Sequence, residues 1–293
     1  MVHAERVTPV LTHHGEGACW SEQWGGLRFV DLYAGDVCTL REDGSVDRIH
    51  VGPVAACVRP RVGGGAIIAT ERGVLLEDSA GALDPFPAAR PAFFGETSGL
   101  RMNEGGCDPQ GRFYIGSMAY DQTDGRGDGR ASLYRLGADG VVAVVLPAVT
   151  ISNGLGFSPD GTLAYYNDTP TGRIDVFDVV DGDLRERRPF ARVHGERSEG
   201  HPDGLCVDAE GGVWTALFGG SGVHRYAPDG SLSEVVEVGA RQVTSCTFGG
   251  AELEELWITT SRENLEDDDD PAAGSLFRFP AGVRGLAALP FAG

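Results

Sequence analysis

Apolar residues in this chain come in short runs broken by glycine, proline, asparagine and aspartate, with no lasting 3.6-residue periodicity. Runs of this kind, closed by turn residues, read as β-strands and leave little support for helices. One cassette recurs six times: a short apolar strand, a turn with glycine, then a second strand rich in β-branched and aromatic residues. The first strands contain EGACW (16–20), VAACVRP (54–60), NEGGCDP (103–109), NGLGFSP (153–159), DGLCVDA (203–209) and VTSCTFGG (243–250). The second strands are GGLRFVDL (25–32), GGGAIIAT (63–70), QGRFYIGS (110–117), DGTLAYYN (160–167), EGGVWTAL (210–217) and EELWITTS (254–261). Between cassettes, the Asp-Gly pairs of REDGSV (41–46), GADGVV (137–142) and APDGSL (227–232) supply the positive φ that tight hairpins need. Six units of about 40 to 50 residues with about four strands each predict an all-β, six-bladed β-propeller occupying residues 1–293 as a single domain. ERVTPVL (5–11) alternates well enough to pair with GSLFRFP (274–280), closing the ring and removing its exposed edges.

Within the repeat, a polar residue stands eight positions before a turn glycine in three successive copies: Asn103 before Gly111, Asn153 before Gly161, and Asp203 before Gly211. The copies are spaced 50 residues apart. The innermost strand of each propeller blade lines the central channel, so one register in three blades faces one axial space. Glu16, nine residues before Gly25, occupies nearly the same place in the first blade. Buried ionised groups are costly unless paired or bound to metal, and Arg101 is the one cation close by in sequence. A divalent cation held by Glu16, Asn153 and Asp203 would neutralise both carboxylates and satisfy the amide oxygen. Oxygen ligands suit Ca²⁺ first, and Mg²⁺ or Mn²⁺; Zn²⁺ prefers nitrogen and sulfur but accepts carboxylate. The plainer alternative makes Asn153-Gly154 and Asp203-Gly204 simple turn dipeptides and Glu16 a solvated carboxylate at a strand entry.

Charge narrows the partners. The net charge of −19 argues against a nucleic-acid backbone or an anionic membrane surface, since both repel an acidic protein. No apolar run is long enough to span a bilayer, and the first sixteen residues carry charges and histidines throughout, so a cytoplasmic protein is expected. The six cysteines form no CxxC pair and read as buried thiols in a reducing compartment. Two loops stand out, 121–130 and 263–274. The four consecutive aspartates of the second lack the spacing of a calcium loop and read as solvated. Arg126-Gly127-Asp128 in the first is treated as coincidence. His13 and His14 read as a solvated pair ahead of a strand, and Trp20, Trp24, Trp214 and Trp257 as blade packing.

The segments GEGACW (15–20), RMNEGGCDPQGRFYIGSM (101–118), SNGLGFSPDGTLAYYND (152–168), HPDGLCVDAEGGVW (201–214) and SCTFGGAELEELWITT (245–260) together resemble the gluconolactonase, regucalcin (senescence marker protein) and luciferin-regenerating family. The resemblance runs through nearly the whole chain in order. It implies a six-bladed propeller with one divalent metal in the central channel, and hydrolysis of sugar lactones as the activity. Carried across by motif, it makes Glu16, Asn153 and Asp203 the metal ligands and places Arg101 and Asn103 on the substrate. Asp121, just after Gly116-Ser117-Met118, falls at the family's acidic substrate contact, where glutamate is commoner. Two other departures are Glu104, where aspartate is usual, and Ala18, where proline is usual.

The implied chemistry is a metal-polarised lactone carbonyl and a metal-activated water. Asp203 is the proton acceptor, and Arg101 and Asn103 hold ring hydroxyls or the developing oxyanion. His201, two residues before Asp203, is a further candidate substrate contact at the channel rim. The partner is then a small-molecule sugar lactone opened to its aldonic acid by a monomer or small homo-oligomer. Two alternatives stay open: a phosphotriesterase-like or other ester hydrolase on the same scaffold, and a propeller that binds calcium or a metabolite without turnover. A serine hydrolase has no Gly-x-Ser-x-Gly elbow to build on.

Overall fold

Each predicted cassette forms the two innermost strands of one antiparallel sheet in the computed structural model of the chain, which describes residues 2–86, 93–95, 99–193, 199–266 and 269–293. Blade 1 runs outward from the axis through Gly15–Ser21, Gly26–Asp31, Asp36–Leu40 and Val46–His50. Blade 2 starts at Ala55–Pro60, blade 3 at Leu100–Cys107, blade 4 at Ser152–Phe157, blade 5 at His201–Val207 and blade 6 at Val243–Gly249. The burial gradient follows from the alternation. All eight residues of Leu100–Cys107 are buried, whereas the outermost strand of blade 4, Asp183–Arg192, is mostly exposed.

Between blades, inner-strand side chains interlock. Trp214 of blade 5 meets Phe248 of blade 6 edge-on at 5.8 Å, and Tyr114 of blade 3 meets Phe157 of blade 4 at 6.1 Å. Such tilted pairs are favoured over flat stacking by the ring quadrupole. Trp20 packs against Trp257 across the seam of blades 1 and 6, so these tryptophans pack as expected. All six cysteines are free thiols, five of them buried.

Ring closure takes the expected form and adds a strand. Glu5–Arg6 pairs antiparallel with Phe277–Pro280 at the outer edge of blade 6. Just before it, Val2–His3 pairs in parallel with the outer strand of blade 5, a pairing that the alternation did not announce. Helical structure among the described residues is confined to three single turns, Glu22–Trp24, Thr123–Gly125 and Thr169–Thr171, and no helix is long and apolar enough to cross a membrane.

One irregularity positions the centre of the molecule. The ladder between first and second strands is interrupted in every blade near the same place. In blade 3 the pairing jumps from Met102 to Gly105, in blade 4 from Ser152 to Leu155, and in blade 5 from Pro202 to Leu205. Two residues therefore oppose one, the signature of a β-bulge, which re-aims side chains. The first residues of these bulges are Asn103, Asn153 and Asp203.

Candidate functional site

The bulges gather the polar residues that the 50-residue spacing picked out. Asn103 donates through Nδ2 to Asn153 Oδ1 at 3.2 Å and to the carbonyl of Ser152 at 3.0 Å. Asn153 in turn donates to Thr169 Oγ1 at 2.8 Å. Glu16, Asn103, Asn153 and Asp203 are all 6 % exposed or less. Asn153 and Asp203 lie inside strands, so the turn-dipeptide alternative does not hold; Gly154 is needed for another reason. A Cβ there would come within 2.7 Å of the Asp203 carbonyl, so the glycine lets the inner strands of blades 4 and 5 close up at the site.

Electrostatics at this level is one-sided. The Glu16 carboxyl is pushed up to about 8, first by burial and then by the charge of Glu104. Burial also raises Asp203 well above the usual carboxylate range, with Glu16, Glu104 and Glu263 adding repulsion and Arg101 offsetting part of it. Asp203 Oδ1 is buried and has no hydrogen-bond donor, an expensive arrangement for a carboxylate. Glu16 Oε2 accepts only a backbone N–H among the bonds defined for it, from Gly17 at 2.8 Å. Among the described residues no three His, Cys, Asp or Glu side chains cluster as a metal would need. The channel instead offers two carboxylates and an amide oxygen. Two mutually repelling buried carboxylates, one with an unpartnered oxygen, form a donor set that a hard divalent cation fits.

Arg101 closes the arrangement from blade 3. It is 2 % exposed, and its Nη1 donates to Asn103 Oδ1 at 2.7 Å and to the Met102 carbonyl at 2.9 Å. The adjacency of Arg101 and Asn103 is thus a direct bond. A second cation, the partly buried Arg59 of blade 2, was not among the sequence candidates. Its Nη2 lies 3.8 Å from Glu104 Oε1, and Glu104 is raised to about 7 chiefly by its burial, with Arg59 opposing. Glu104 is the second bulge residue of blade 3 and turns away from Asn103, lining with Arg59 a cavity of about 350 Å³ towards the other end of the channel. Cys19, Cys107, Cys206 and Cys246 line the same cavity.

Two other candidates sit elsewhere. Asp121 is exposed, accepting from the Thr123 N–H at 3.0 Å and facing Arg126 at 3.4 Å. His201 begins the inner strand of blade 5 and is partly buried. The expectation for the histidine pair holds for exposed His13 and fails for His14. His14 is 6 % exposed and its Nδ1 lies 2.8 Å from Ser261 Oγ of blade 6, because the segment leading into blade 1 is drawn across the closing seam. Burial pushes its pKa down to about 3, with Arg101 and His13 adding to the effect. The loop 263–274 is also not wholly solvated, since Glu263 turns to the channel end of the seam; Asp267 and Asp268 lie outside the described residues. Asn167 was missed as well. It is fully buried and donates to the Asp203 carbonyl at 2.6 Å and to Thr215 Oγ1 at 3.0 Å. Its place 50 residues after Ser117 and 50 before Leu217 was a readable signal.

A family model described as the SMP-30/Gluconolactonase/LRE-like region matches residues 14–262, a span that takes in all four channel residues. The chain belongs to this family. Among its relatives is the 6-deoxy-6-sulfogluconolactonase of Pseudomonas putida, 34% identical over 283 residues, covering 95% of each chain. Regucalcin of Sus scrofa is 33% identical over 294 residues, covering 96% of this chain and 95% of the relative. A solved structure of a calcium-binding protein, regucalcin, from Agrobacterium tumefaciens superposes with a TM-score of 0.86 at 26% identity, covering 99% of both chains. The family match agrees with the resemblance found in the motifs, and the six-bladed fold with the count of cassettes.

Proposed function

We propose that this family member is a divalent-metal-dependent lactonase that opens a sugar lactone to its aldonic acid. The observation that carries the reading is the buried pair of mutually repelling carboxylates Glu16 and Asp203, with Asp203 Oδ1 left without a donor. Relatives named as a sulfogluconolactonase and as regucalcin support the substrate class and the cation. Glu16, Asn153 and Asp203 would hold the metal. When bound, it supplies Lewis acidity towards a carbonyl oxygen and acidifies a water.

The remaining work falls to side chains. Asp203 accepts the proton of the attacking water as the new C–O bond forms at the carbonyl carbon. Asn103, pinned by Arg101 and Ser152, offers its amide close to the metal end, and Arg101 brings a fixed positive charge to the oxyanion or a ring hydroxyl. Collapse breaks the ring C–O bond, and the leaving alkoxide takes the proton that Asp203 accepted from the water, becoming the open-chain hydroxyl and restoring the carboxylate. His201 and Asp121 are assigned to the rim, where the ring substituents lie. The chain is taken as a single propeller domain acting in the cytoplasm.

A panel of aldonolactones, corrected for spontaneous opening, tests the proposal with and without chelator. Chelator-sensitive hydrolysis of at least one member is expected, and its absence across the panel sinks the reading.

A further inference from the structure

The guanidinium of Arg101 has a second set of contacts at the seam between the first and last blades. Its Nη2 donates to the Tyr33 hydroxyl at 3.1 Å, and its central carbon sits 5.2 Å from the centre of the Tyr33 ring. Tyr33 lies in the turn after the second strand of blade 1, two residues beyond Asp31, and its hydroxyl proton goes to Glu263 Oε1 at 2.8 Å. Glu263 belongs to the loop that joins the strands Glu255–Thr260 and Phe277–Pro280 within blade 6, and is itself held. Its N–H donates to Ser261 Oγ at 2.9 Å, and its carbonyl accepts from Gln242 Nε2 at 2.8 Å. Three blades thus contribute one chain of bonds: Arg101 from blade 3, Tyr33 from blade 1, Glu263 from blade 6.

We infer that Tyr33 and Glu263 are positioning residues that clamp the Arg101 guanidinium at the substrate end of the channel and so set how tightly the lactone is held. A tyrosine hydroxyl can accept from a guanidinium and donate to a carboxylate at once, which phenylalanine in its place cannot do. The clamp joins a buried arginine to a carboxylate that is only partly buried without an ion pair between them, leaving the positive charge available to substrate oxygens. Arg101 Nη1 is already committed to Asn103 and Met102, and its buried Nε has no acceptor, so the tyrosine is what orients the other arm of the fork. Sequence spacing could not have found the trio, since its members are separated by 68 and 230 residues.

The inference rests on the lactonase reading for its effect on substrate, and its test has one arm that does not. In the metal-loaded full chain, Tyr33→Phe and Glu263→Gln are expected to raise KM roughly tenfold, the scale of one hydrogen bond to a charged group, with kcat changed less than about threefold and metal affinity by calorimetry unchanged. In an Arg101→Lys background the same substitutions should add almost nothing, because a residue acting through Arg101 has no effect once that guanidinium is gone. Full additivity overturns the role in substrate handling. Independently of turnover, modification of Arg101 by an arginine-specific dicarbonyl, followed by peptide mass spectrometry, should quicken severalfold in Tyr33→Phe. An Arg101 modification rate unchanged in both variants overturns the clamp itself, whatever the lactone panel gives.

Discussion

Glu16 is raised to about 8 and Glu104 to about 7, in both cases chiefly by burial. A carboxyl group with a folded-state pKa above its unfolded value stabilises the fold fully only below the unfolded value, and that contribution is lost as pH rises through the folded one. For the metal-free protein, stability should therefore fall between about pH 5 and 8. Saturating divalent cation, by favouring the ionised form, should flatten or reverse that slope. Thermal denaturation of chelated and metal-loaded samples across this range checks both outcomes, and a chelated Tm that climbs steadily to pH 8 contradicts them. Asp203→Asn keeps the shape and removes the base; kcat on a responsive lactone should drop by about 10²- to 10⁴-fold with the propeller still folded by circular dichroism. Asn103, Asn153 and Asp203 were legible because the 50-residue frame put them in one register. Glu16 was harder, its blade being shorter and its bulge falling after the residue, between Glu16 and Cys19. Arg59, Tyr33 and Glu263 were invisible, since nothing local in the sequence says which arginine or tyrosine the closing seam will turn inward.

Inner strands succeed here by being imperfect. A regular ladder would alternate each residue between the two faces of its blade, and the bulge breaks that alternation at the point where the polar group must face the axis. The strands themselves could be read from apolar runs and Asp-Gly turns, and Gly44, Gly140 and Gly230 have the positive φ those turns call for. The bulge could not, because period-two patterning carries no mark of one extra residue. Gly154 is where this can be probed. A methyl group would press on the Asp203 carbonyl and the Leu205 N–H, both backbone atoms that cannot swing away. Gly154→Ala should cost about 1–3 kcal/mol and weaken metal binding, measured by denaturant melts and calorimetry. Asn167→Ala should act from the facing strand, freeing the Asp203 carbonyl and lowering metal affinity more than Tm.

Across the whole molecule, residues 2–6 bind the outer edges of two different blades. Removing them should lower Tm by several degrees while the folded fraction keeps its kcat, since the channel residues sit on the innermost strands. Equal losses of kcat and stability would mean that the rim and the axis are not separable. The pairing with 274–280 was readable from alternation at both ends, but the parallel contact with the outer strand of blade 5 was not, because two residues carry no pattern. That early segment also imposes an order of events. Its partners lie near residues 236 and 277, so during synthesis the first few residues emerge more than two hundred positions ahead of the strands they must find. Until then the outer edges of blades 5 and 6, once formed, stand uncapped and free to pair with a neighbouring chain. The last step of maturation is therefore a search between distant parts of one polypeptide, in competition with other copies, and crowding of unfinished chains should limit yield more than the stability of the finished ring does.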